Sequence, residues 1–547
     1  MITTIGEGVF VKIPKMVGSF LRNISRNKSL YWILGMIVVL VSLSVFIFIT
    51  AEGLAGKLKT TPSWSVLLYA LPFFYGAYLV ITAPIFFLFA YLKTGSMTRG
   101  MAHERKIRFT RKQMNVSREK AIANQVFLGR SMQTRQNCYL STETRKMHCH
   151  VVGSTGSGKT DSLILPLFVQ DIERGRGVLV MDAKGDRETL NKIYHHVKRV
   201  GREKDFLFFS LAYPEKSNTY NPLLRGNPTE LKDKIISANI WTEEFYKKKA
   251  EETLLLLMKC MRDVNEIVTF QKLYDLLTNE KNMVDIARRL NNRRLQDLML
   301  TILKKYPLFQ KDLAGMTADL GMIAESEFAR LLTDEKPEID LLNAYQKKQI
   351  VYFQLNTQGY EETARRFGRI VLQDLKTISN YIQAYMPEKE RSFFPIYVDE
   401  FSNFAYEAFI EFLNKARGAH FGITMAHQSL GDLEKAGAPF VKQVLENSNI
   451  KIIMRQDDPQ SIETYSRISG TEKTFKDTVQ TEEDFISKSP TGMVSVRIVD
   501  EFRLKPNTIR ELKRGEAAVI IKHPLLVDVL QLDYAGEVPQ EEYVKLT

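Results

Sequence analysis

Residues 147–160 read MHCHVVGSTGSGKT, and no other segment constrains the fold as strongly. The first six residues suit a buried strand, and the next eight match the pattern G-x-x-x-x-G-K-[ST]. The segment that follows, Asp161–Arg174, has the composition of a helix. In such a strand–loop–helix unit, glycines let backbone N–H groups converge on phosphate oxygens, and the helix amino terminus adds a positive dipole. The pattern therefore predicts a phosphate-binding loop rather than a simple glycine-rich turn.

The loop supplies a full set of candidate ligands for a nucleotide. Lys159 has the reach to contact the β- and γ-phosphates, and the Thr160 hydroxyl is a candidate Mg²⁺ ligand. ATP and Mg²⁺ are the expected cofactors. The expected nucleotide-binding residues are Gly153, Ser154, Thr155, Gly156, Ser157, Gly158, Lys159 and Thr160.

A phosphate loop of this kind needs a carboxylate at the end of a neighbouring strand. Two apolar segments, Val178–Asp182 and Phe394–Asp399, end in an aspartate, and Glu400 follows the second one directly. We expect Asp399 to hold the metal and its water shell, and Glu400 to orient the attacking water. Asp182 ranks second because a lysine follows two residues later and weakens its negative field. The alternative for Asp399 and Glu400 is an ordinary acidic helix start.

Two polar residues flank the next apolar segment, His420–Ala426. Gln428 follows this segment and is a candidate sensor of the γ-phosphate, although a simple cap fits the spacing as well. Arg417 precedes the segment, and its planar donors suit a phosphate in transfer, as in an arginine finger that bridges two subunits. An arginine alone in a turn is more often a solvated charge.

The triplet His148-Cys149-His150 has the chemistry of a zinc site. Neighbouring residues of a strand point to opposite faces, and the sequence shows no second pair of ligands. We therefore predict no zinc site there.

Strand-like segments alternate with helical ones along much of the chain, which predicts the α/β class with a parallel sheet. A long block with helical spacing, from about Thr229 to Ala344, interrupts the alternation and is interpreted as an inserted all-α domain. The predicted divisions are a cytoplasmic amino terminus (1–29), a transmembrane hairpin (30–92), a basic juxtamembrane linker (93–145), the first part of a P-loop ATPase domain (146–228), the inserted all-α domain (229–345) and the second part of the ATPase domain (346–547).

The transmembrane prediction rests on two long apolar runs, Leu30–Thr50 and Val66–Leu92, which carry no charge. About 20 helical residues cross a hydrocarbon core of roughly 30 Å, so both runs are long enough. The first is too long for a signal peptide, and no small-residue cleavage site follows it. Burial of both runs in a soluble core is the remaining alternative, and the absence of charge in them disfavours it.

The charge distribution gives the expected orientation. The 547 residues carry a formal net charge of +13, and twelve of these charges lie in residues 1–120. The excess flanks the apolar runs, so the positive-inside rule places both termini in the cytoplasm and the loop Glu52–Ser65 outside. The rest of the chain is close to neutral and shows no electrostatic footprint for nucleic acid. With three cysteines, a disulfide framework is excluded.

Taken together, these motifs resemble those of the type IV secretion coupling proteins, the TraD/TraG/TrwB-like ATPases of conjugation systems. The resemblance rests on the paired spans, the segment GSTGSGKT with Leu165-Pro166 after it, and the segments VLVMDAKGD and VDEF. The Asn-Pro-Leu after Tyr220, the helical insertion and the late His-Gln pair also match. The resemblance covers nearly the whole chain in order and spacing. The FtsK/HerA translocases share the ATPase core and are close relatives in this interpretation.

The resemblance implies a RecA-like, homo-hexameric motor in the inner (cytoplasmic) membrane. It would receive single-stranded DNA bound to a relaxase from the relaxosome and deliver it to a type IV secretion channel, using ATP. Carried over by motif, Gly153–Thr160 would bind ATP, Asp399 and Glu400 would form the Walker B pair, Gln428 would couple hydrolysis and Arg417 would act in trans. A coupling ATPase for protein effectors, an FtsK/HerA-like DNA translocase and a nucleotide-binding membrane scaffold remain as alternatives.

Overall fold

The fold is described from a computed structural model, which places residues 111–119, 121–239, 241–484, 487–536 and 538. The strands of the main sheet are short and mostly buried. Their bounds are β1 (Gln125–Ser131), β2 (Asn137–Ser141), β3 (Cys149–Val152), β4 (Val178–Asp182), β5 (Phe206–Ser210), β6 (Ile350–Gln354), β7 (Phe394–Asp399), β8 (Phe421–His427), β9 (Ile450–Ile453), β12 (Glu516–Ile521) and β13 (Leu526–Leu532).

These strands form one sheet in the order β2-β1-β13-β12-β9-β3-β8-β7-β4-β6-β5. The part from β9 to β5 is parallel throughout, and its strands are nearly continuous apolar runs, as expected when helices cover both faces. The α/β class and the large parallel sheet are therefore confirmed. Strand β4 has the predicted bounds, Val178–Asp182.

One edge of the sheet departs from the parallel pattern that the sequence predicts. The predicted strand 517–522 is β12, but it runs antiparallel to β9. The reason is that β12 turns directly into β13 and pairs with it, and such a short connection permits only antiparallel pairing. Strands β1 and β2 extend this edge, so the second half of the segment predicted as a linker, 93–145, is folded into the sheet.

Helices cover the sheet and form the insertion between β5 and β6. Those outside the insertion are α1 (Arg111–Glu119), α2 (Thr142–Lys146), α3 (Leu165–Glu173), α4 (Arg187–Arg199), α14 (Glu361–Tyr385), α15 (Phe409–Ala416), α16 (Leu430–Glu434), α17 (Ala438–Asn447), α18 (Pro459–Ile468) and α19 (Pro506–Arg510). Those of the insertion are α5 (Pro228–Ala238), α6 (Glu244–Asp263), α7 (Phe270–Thr278), α8 (Glu280–Arg289), α9 (Arg293–Leu303), α10 (Tyr306–Asp312), α11 (Ala314–Ala324), α12 (Ala329–Leu332) and α13 (Leu341–Gln346).

The alternation of side chains along β4 separates two hydrophobic cores. Val178 and Val180 lie in a cluster with Phe168 of α3 on one face of the sheet. Leu179 and Met181 lie on the other face, in a cluster that also contains α14 and the inserted helices. The insertion therefore shares a core with the sheet.

A buried ion pair fastens the start of the insertion to α14. Lys234 of α5 is 1% exposed and donates to the carboxylate of Asp374 at 2.6 Å and to the carbonyl oxygen of Pro222 at 2.8 Å. The Tyr220 hydroxyl donates to the other oxygen of Asp374 at 2.7 Å. The side chain of Asn221 closes the turn by accepting from the Leu223 N–H. The Asn-Pro-Leu segment is thus the joint between β5 and the helices.

A two-stranded ribbon, β10 (Thr471–Asp484) and β11 (Ser487–Phe502), is paired antiparallel as a sheet of its own. This ribbon is not among the strands predicted from the sequence. Among the residues that the structure describes, no helix is both long and apolar enough to span a bilayer. The predicted spans, Leu30–Thr50 and Val66–Leu92, lie outside the described residues.

Candidate functional site

The loop Gly153–Thr160 connects β3 to a helical segment at the carboxyl edge of the sheet. Gly156 and Gly158 have φ angles of +77° and +98°, a region that favours glycine. A Cβ atom on Gly153 would lie 2.5 Å from the Ser157 hydroxyl oxygen, so the start of the loop also requires glycine. The sequence pattern therefore fixes the backbone path of the loop.

The helix after the loop begins differently from the prediction Asp161–Arg174. Its first turn, Thr160–Ile164, is π-helical, and α3 starts only at Leu165. Pro166 at the start of α3 has no N–H, so the regular ladder of hydrogen bonds cannot run through it. The Leu165 N–H instead donates to the carbonyl oxygen of Thr160. The first turn after the loop is thus closed by a wider hydrogen bond than that of a regular α-helix.

Lys159 and Thr160 both point into the site. The Lys159 ammonium donates to the carbonyl oxygen of Gly153 at 2.6 Å, and the side chain is buried. Burial lowers the pKa of Lys159, although the nearby carboxylates of Glu400 and Asp399 favour its charged form. The Thr160 hydroxyl donates to a carboxylate oxygen of Asp399 at 2.7 Å. The structure therefore brings the loop and the end of β7 together.

Glu400 follows Asp399 in a left-handed backbone conformation, with φ +51° and ψ +46°. Such a conformation is costly for a non-glycine residue and tends to occur at functional sites. It turns Glu400 back towards the loop, where the side chain is 8% exposed. Burial and the charge of Asp399 raise the pKa of Glu400. A carboxylate with a raised pKa is suited to accept a proton from water near neutral pH.

Gln428 connects the two sides of the site. Its amide nitrogen donates to Glu400 at 3.4 Å, and its amide oxygen accepts from the Thr155 hydroxyl at 3.2 Å. A helix cap, the plainer interpretation, is provided instead by Ser429, which forms a capping box with Asp432 at the start of α16. The amide of Gln428 is therefore free to follow changes at the loop or at Glu400.

Asp182 also belongs to this site. It ends β4, directly beside Asp399 in the register of β4 and β7. Burial and the charge of Asp399 raise the pKa of Asp182 to about 7. The Tyr352 hydroxyl donates to one carboxyl oxygen at 2.9 Å, and the Lys184 N–H donates to the other at 2.9 Å. Asp182 therefore lies next to the pair Asp399 and Glu400.

Arg417 does not join this group. It begins the turn Arg417–Ala419, is exposed, and precedes β8, whereas Gln428 follows the same strand. The seven residues of β8 separate the two positions by about 20 Å. Arg417 thus lies at the opposite edge of the sheet from the phosphate loop of its own chain. Its role as an arginine finger stays a prediction, which requires a second subunit.

In the triplet His148-Cys149-His150, which has the residue types of a zinc site, the structure gives His150 a different role. The His150 ring stacks on His427, with ring centroids 4.7 Å apart, and their Nε2 atoms are hydrogen-bonded. His427 Nδ1 lies 2.7 Å from the Ser429 carbonyl oxygen, an acceptor, so His427 donates from Nδ1 and accepts at Nε2. Burial lowers the pKa of both imidazoles, that of His427 to about 4, and their hydrogen bonds join β3, β8 and the backbone at Ser429. Among the described residues, no group of three or more His, Cys, Asp or Glu side chains is arranged to hold a metal ion by itself.

The donor set fits a magnesium nucleotide. A hydroxyl and clustered carboxylates are the hard oxygen ligands that Mg²⁺ takes, and it keeps several waters in such sites. Lys159 is held across the loop by a single carbonyl oxygen, which a phosphate oxygen replaces as a charged partner. Beside Glu400 and Gln428 lies a cavity of about 400 Å³, which is also lined by Lys184 and Arg365. Thr160 and Asp399 are the residues that would hold the metal.

Comparison with known proteins identifies the family. The family model described as "Type IV secretory system Conjugative DNA transfer" matches residues 105–527. The type 4 coupling protein DotL of Legionella pneumophila is 21% identical over 513 residues. This match covers 82% of the chain and 65% of DotL, so the chain spans less than two thirds of that relative.

Solved structures of the bacterial conjugative coupling protein TrwB share the fold. The unbound form, TrwBΔN70, superimposes with a TM-score of 0.55 at 14% identity, and the match covers 81% of this chain and 97% of that solved chain. TrwB in complex with ADP and Mg²⁺ gives the same TM-score, identity and coverage. These similarities support the arrangement of strands around the phosphate loop. The chain belongs to the type IV secretory system conjugative DNA transfer family, the coupling proteins of type IV secretion.

Proposed function

We propose that the protein is an ATP-hydrolysing coupling protein that passes single-stranded DNA, bound to a relaxase, to a type IV secretion channel. The observation that carries this proposal is the contact between the phosphate loop and the end of β7, where Thr160 donates to Asp399 at 2.7 Å. A scaffold that binds nucleotide without turnover would have no use for the strained, buried Glu400 beside this contact.

Each residue of the site has a separate task in hydrolysis. The loop N–H groups and Lys159 bind and orient the phosphate chain, and Thr160 with Asp399 fixes the metal position. Bound Mg²⁺ neutralises phosphate charge in such sites. Glu400 orients a water molecule and takes its proton, which its raised pKa favours. Asp182, with a pKa of about 7, limits the negative charge next to Asp399 when it is protonated.

Gln428 is the residue proposed to couple ATP hydrolysis to a displacement of α16. It contacts both the phosphate loop and Glu400, and the chain leaves it directly into α16. Loss of a phosphate between the loop and Glu400 changes both partners of the amide at once. The displacement is transmitted to α16 through Ser429, whose carbonyl oxygen accepts from the buried His427.

The proposed assembly is a homo-hexamer in the inner membrane, with two spans and both termini in the cytoplasm. The support for the membrane location is the pair of uncharged runs and the basic residues beside them. The support for an assembly is the position of Arg417 at the opposite edge of the sheet from its own phosphate loop, where only another copy brings it to a nucleotide. Relaxosome proteins and channel components are the proposed partners.

Transfer of a plasmid from donor cells tests this function. A strain that lacks the chain is complemented with the wild-type protein, with Lys159→Ala or with the exposed control Lys198→Ala. We expect transfer with the wild type and the control, and loss of transfer with Lys159→Ala at equal protein levels. Transfer supported by Lys159→Ala would refute the coupling function.

A protein effector is the second candidate cargo. The nearly neutral charge of residues 121–547 favours it, because nucleic-acid binding usually relies on a basic surface. Binding of single-stranded DNA at increasing salt separates the two. DNA cargo predicts binding at low salt with a linear fall of log affinity against log salt, whereas effector cargo predicts no binding even at low salt.

A further inference from the structure

A second cavity lies at the edge of the sheet opposite to the phosphate loop. It has a volume of about 330 Å³ and is bounded by residues that precede four adjacent strands. These are Gly177 before β4, Lys348 before β6, Phe393 before β7 and His420 before β8. Because residues of the nucleotide site follow β4, β7 and β8, the length of these strands separates the two cavities. We refer to this second one as the basic cavity.

The charge of the basic cavity has one sign. Its lining contains Lys146, Arg174, Arg176, Lys348 and Arg391, and none of the described residues that line it is acidic. Like charges gathered in a concave, partly buried space repel one another and attract anions. Such a cluster requires a reason, since it lowers the stability of the empty fold.

Two of these five cations form ion pairs with carboxylates that do not line the cavity. Arg176 donates to Asp171 at 2.8 Å, and Lys146 pairs with Glu143 at 2.7 Å. Within the part of the chain that the structure describes, the other three cations have no carboxylate partner. Their positive charge is therefore not balanced by an ion pair.

One of these three cations, Arg391, already has backbone carbonyl oxygens as hydrogen-bond partners. The Arg391 guanidinium donates to the carbonyl oxygens of Met386, Gln383 and Gly418 and so closes the carboxyl end of α14. Arg174 uses only its Nη1 in this way, on the Gln170 carbonyl oxygen at 2.7 Å. The remainder of the Arg174 guanidinium is left to face the cavity. Burial and the adjacent charge of Arg176 lower the pKa of Arg174.

Lys348 is an unusual residue for the backbone conformation that it adopts. It follows α13 with φ +57°, the place and conformation at which helices usually carry glycine. A lysine there costs backbone energy, its side chain is exposed, and it is placed among other cations. An unfavourable residue at a cavity wall is the kind of strain that accompanies binding sites.

We propose that the basic cavity binds a small polyphosphate anion, of the class of pyrophosphate or the phosphate chain of a free nucleotide. Arg174 and Lys348, with the further positive charge of Arg391 in the same lining, suit a ligand with several negative charges, and a guanidinium group matches phosphate oxygens in pairs. A volume of about 330 Å³ is that of a small-molecule site. The inference is independent of the proposed function, since it involves no residue of the phosphate loop.

The lining favours a small anion over a nucleic-acid strand. Sites for single strands combine a groove with aromatic rings on which bases stack. Phe393, a half-buried ring in this lining, already packs against the guanidinium groups of Arg145 and Arg176, whose central carbons lie 5.0 Å and 5.2 Å from the ring centroid. It is thus engaged by cations rather than open as a platform for a base.

Calorimetric titration of the full-length protein in detergent with inorganic pyrophosphate tests the proposal. The background is Lys159→Ala, which weakens binding at the phosphate loop. We expect one remaining site, whose affinity falls at least about tenfold in Arg174→Gln and in Lys348→Gly. Lys347→Gln, an exposed neighbour outside the lining, is the matched control and leaves the affinity unchanged. Lys348→Gly removes the cation but suits the local backbone, so misfolding cannot explain its effect.

Three results would overturn the proposal. The first is that Lys159→Ala alone removes all pyrophosphate binding. The second is an affinity that is the same in Arg174→Gln, Lys348→Gly and the control. The third is a single-stranded oligonucleotide that displaces pyrophosphate and loses its own affinity in Lys348→Gly, which would assign the cavity to nucleic acid. Plasmid transfer by Lys348→Gly is a separate readout and bears only on the proposed function.

Discussion

Replacement of Glu400 by glutamine isolates its role as a base. The amide has nearly the same shape, and its oxygen still accepts from Gln428, which lies 3.4 Å from the carboxylate in the structure. Nucleotide binding depends on the loop and on Lys159 and is therefore expected to persist. Only the capacity of residue 400 to accept a proton from water is lost.

The expected cost follows from that single loss. A positioned general base contributes about 10²- to 10⁴-fold to a rate. This corresponds to about 3 to 5 kcal/mol in the activation free energy, at roughly 1.4 kcal/mol for each factor of ten. We therefore expect kcat for ATP hydrolysis to fall by this factor in Glu400→Gln, while KM changes by less than about threefold because the contacts with the ground state remain.

The pH dependence gives a second, independent signature of the same group. Burial and Asp399 raise the pKa of Glu400, so in the wild type the rate falls on acidification at a pH above the usual carboxyl value of about 4.3. Glu400→Gln removes this acid limb from the profile. The exposed Glu407→Gln is the matched control, with unchanged kcat and pH profile.

The assay is steady-state phosphate release by the purified full-length protein, accompanied by binding of a fluorescent ADP analogue. A kcat in Glu400→Gln within about threefold of the wild type would refute the role of Glu400 as a base. So would a loss of nucleotide binding as large as the loss of rate, since Glu400 would then act in binding.

Three further perturbations probe the surroundings of the site. Gln428→Ala should lower kcat by up to about 100-fold through loss of positioning and leave nucleotide affinity unchanged; an equal loss of affinity would contradict this. Asp182 has a pKa of about 7 in the fold and a lower one when unfolded, so its contribution to stability is present at low pH and is lost as pH rises towards 7. Asp182→Asn should therefore raise the melting temperature at pH 8 more than at pH 5 in nucleotide-free protein, and an equal change at both would refute the shift. Lys234→Met leaves the buried Asp374 unpaired and should cost about 3 to 5 kcal/mol in urea unfolding, with part of the loss restored by adding Asp374→Asn. Equal stability of Lys234→Met and the wild type would show that the pair contributes nothing.

The sequence predicts those parts of the site whose structure is determined by residues close together in the chain. The path of Gly153–Thr160 follows from glycines that must adopt positive φ, and the apolar run of β4 is long enough to give its bounds. The spacing of Asp399 and Glu400 after another such run places them at the same edge of a parallel sheet. Local pattern and tertiary structure agree at each of these residues.

The other features of the site depend on contacts between residues that are far apart in the sequence. His150 suggests metal chemistry by itself, and only the pairing of β3 with β8 shows that it bonds to His427. The raised pKa of Asp182 likewise requires β4 beside β7. In the ribbon, β10 carries many charged residues and few apolar ones, and only the short run 494–498 of β11 alternates between apolar and polar residues, so the sequence signal for these strands is weak.

The most direct test of the account is ATP turnover by the purified full-length protein compared with that of Lys159→Ala, with and without single-stranded DNA. Lys159 is held across the loop by one carbonyl oxygen and interacts with the nearby carboxylates of Glu400 and Asp399. We expect the wild type to hydrolyse ATP, with stimulation by DNA, and Lys159→Ala to show no turnover above background. Turnover that is unchanged in Lys159→Ala would contradict the assignment of this site as the motor of the protein.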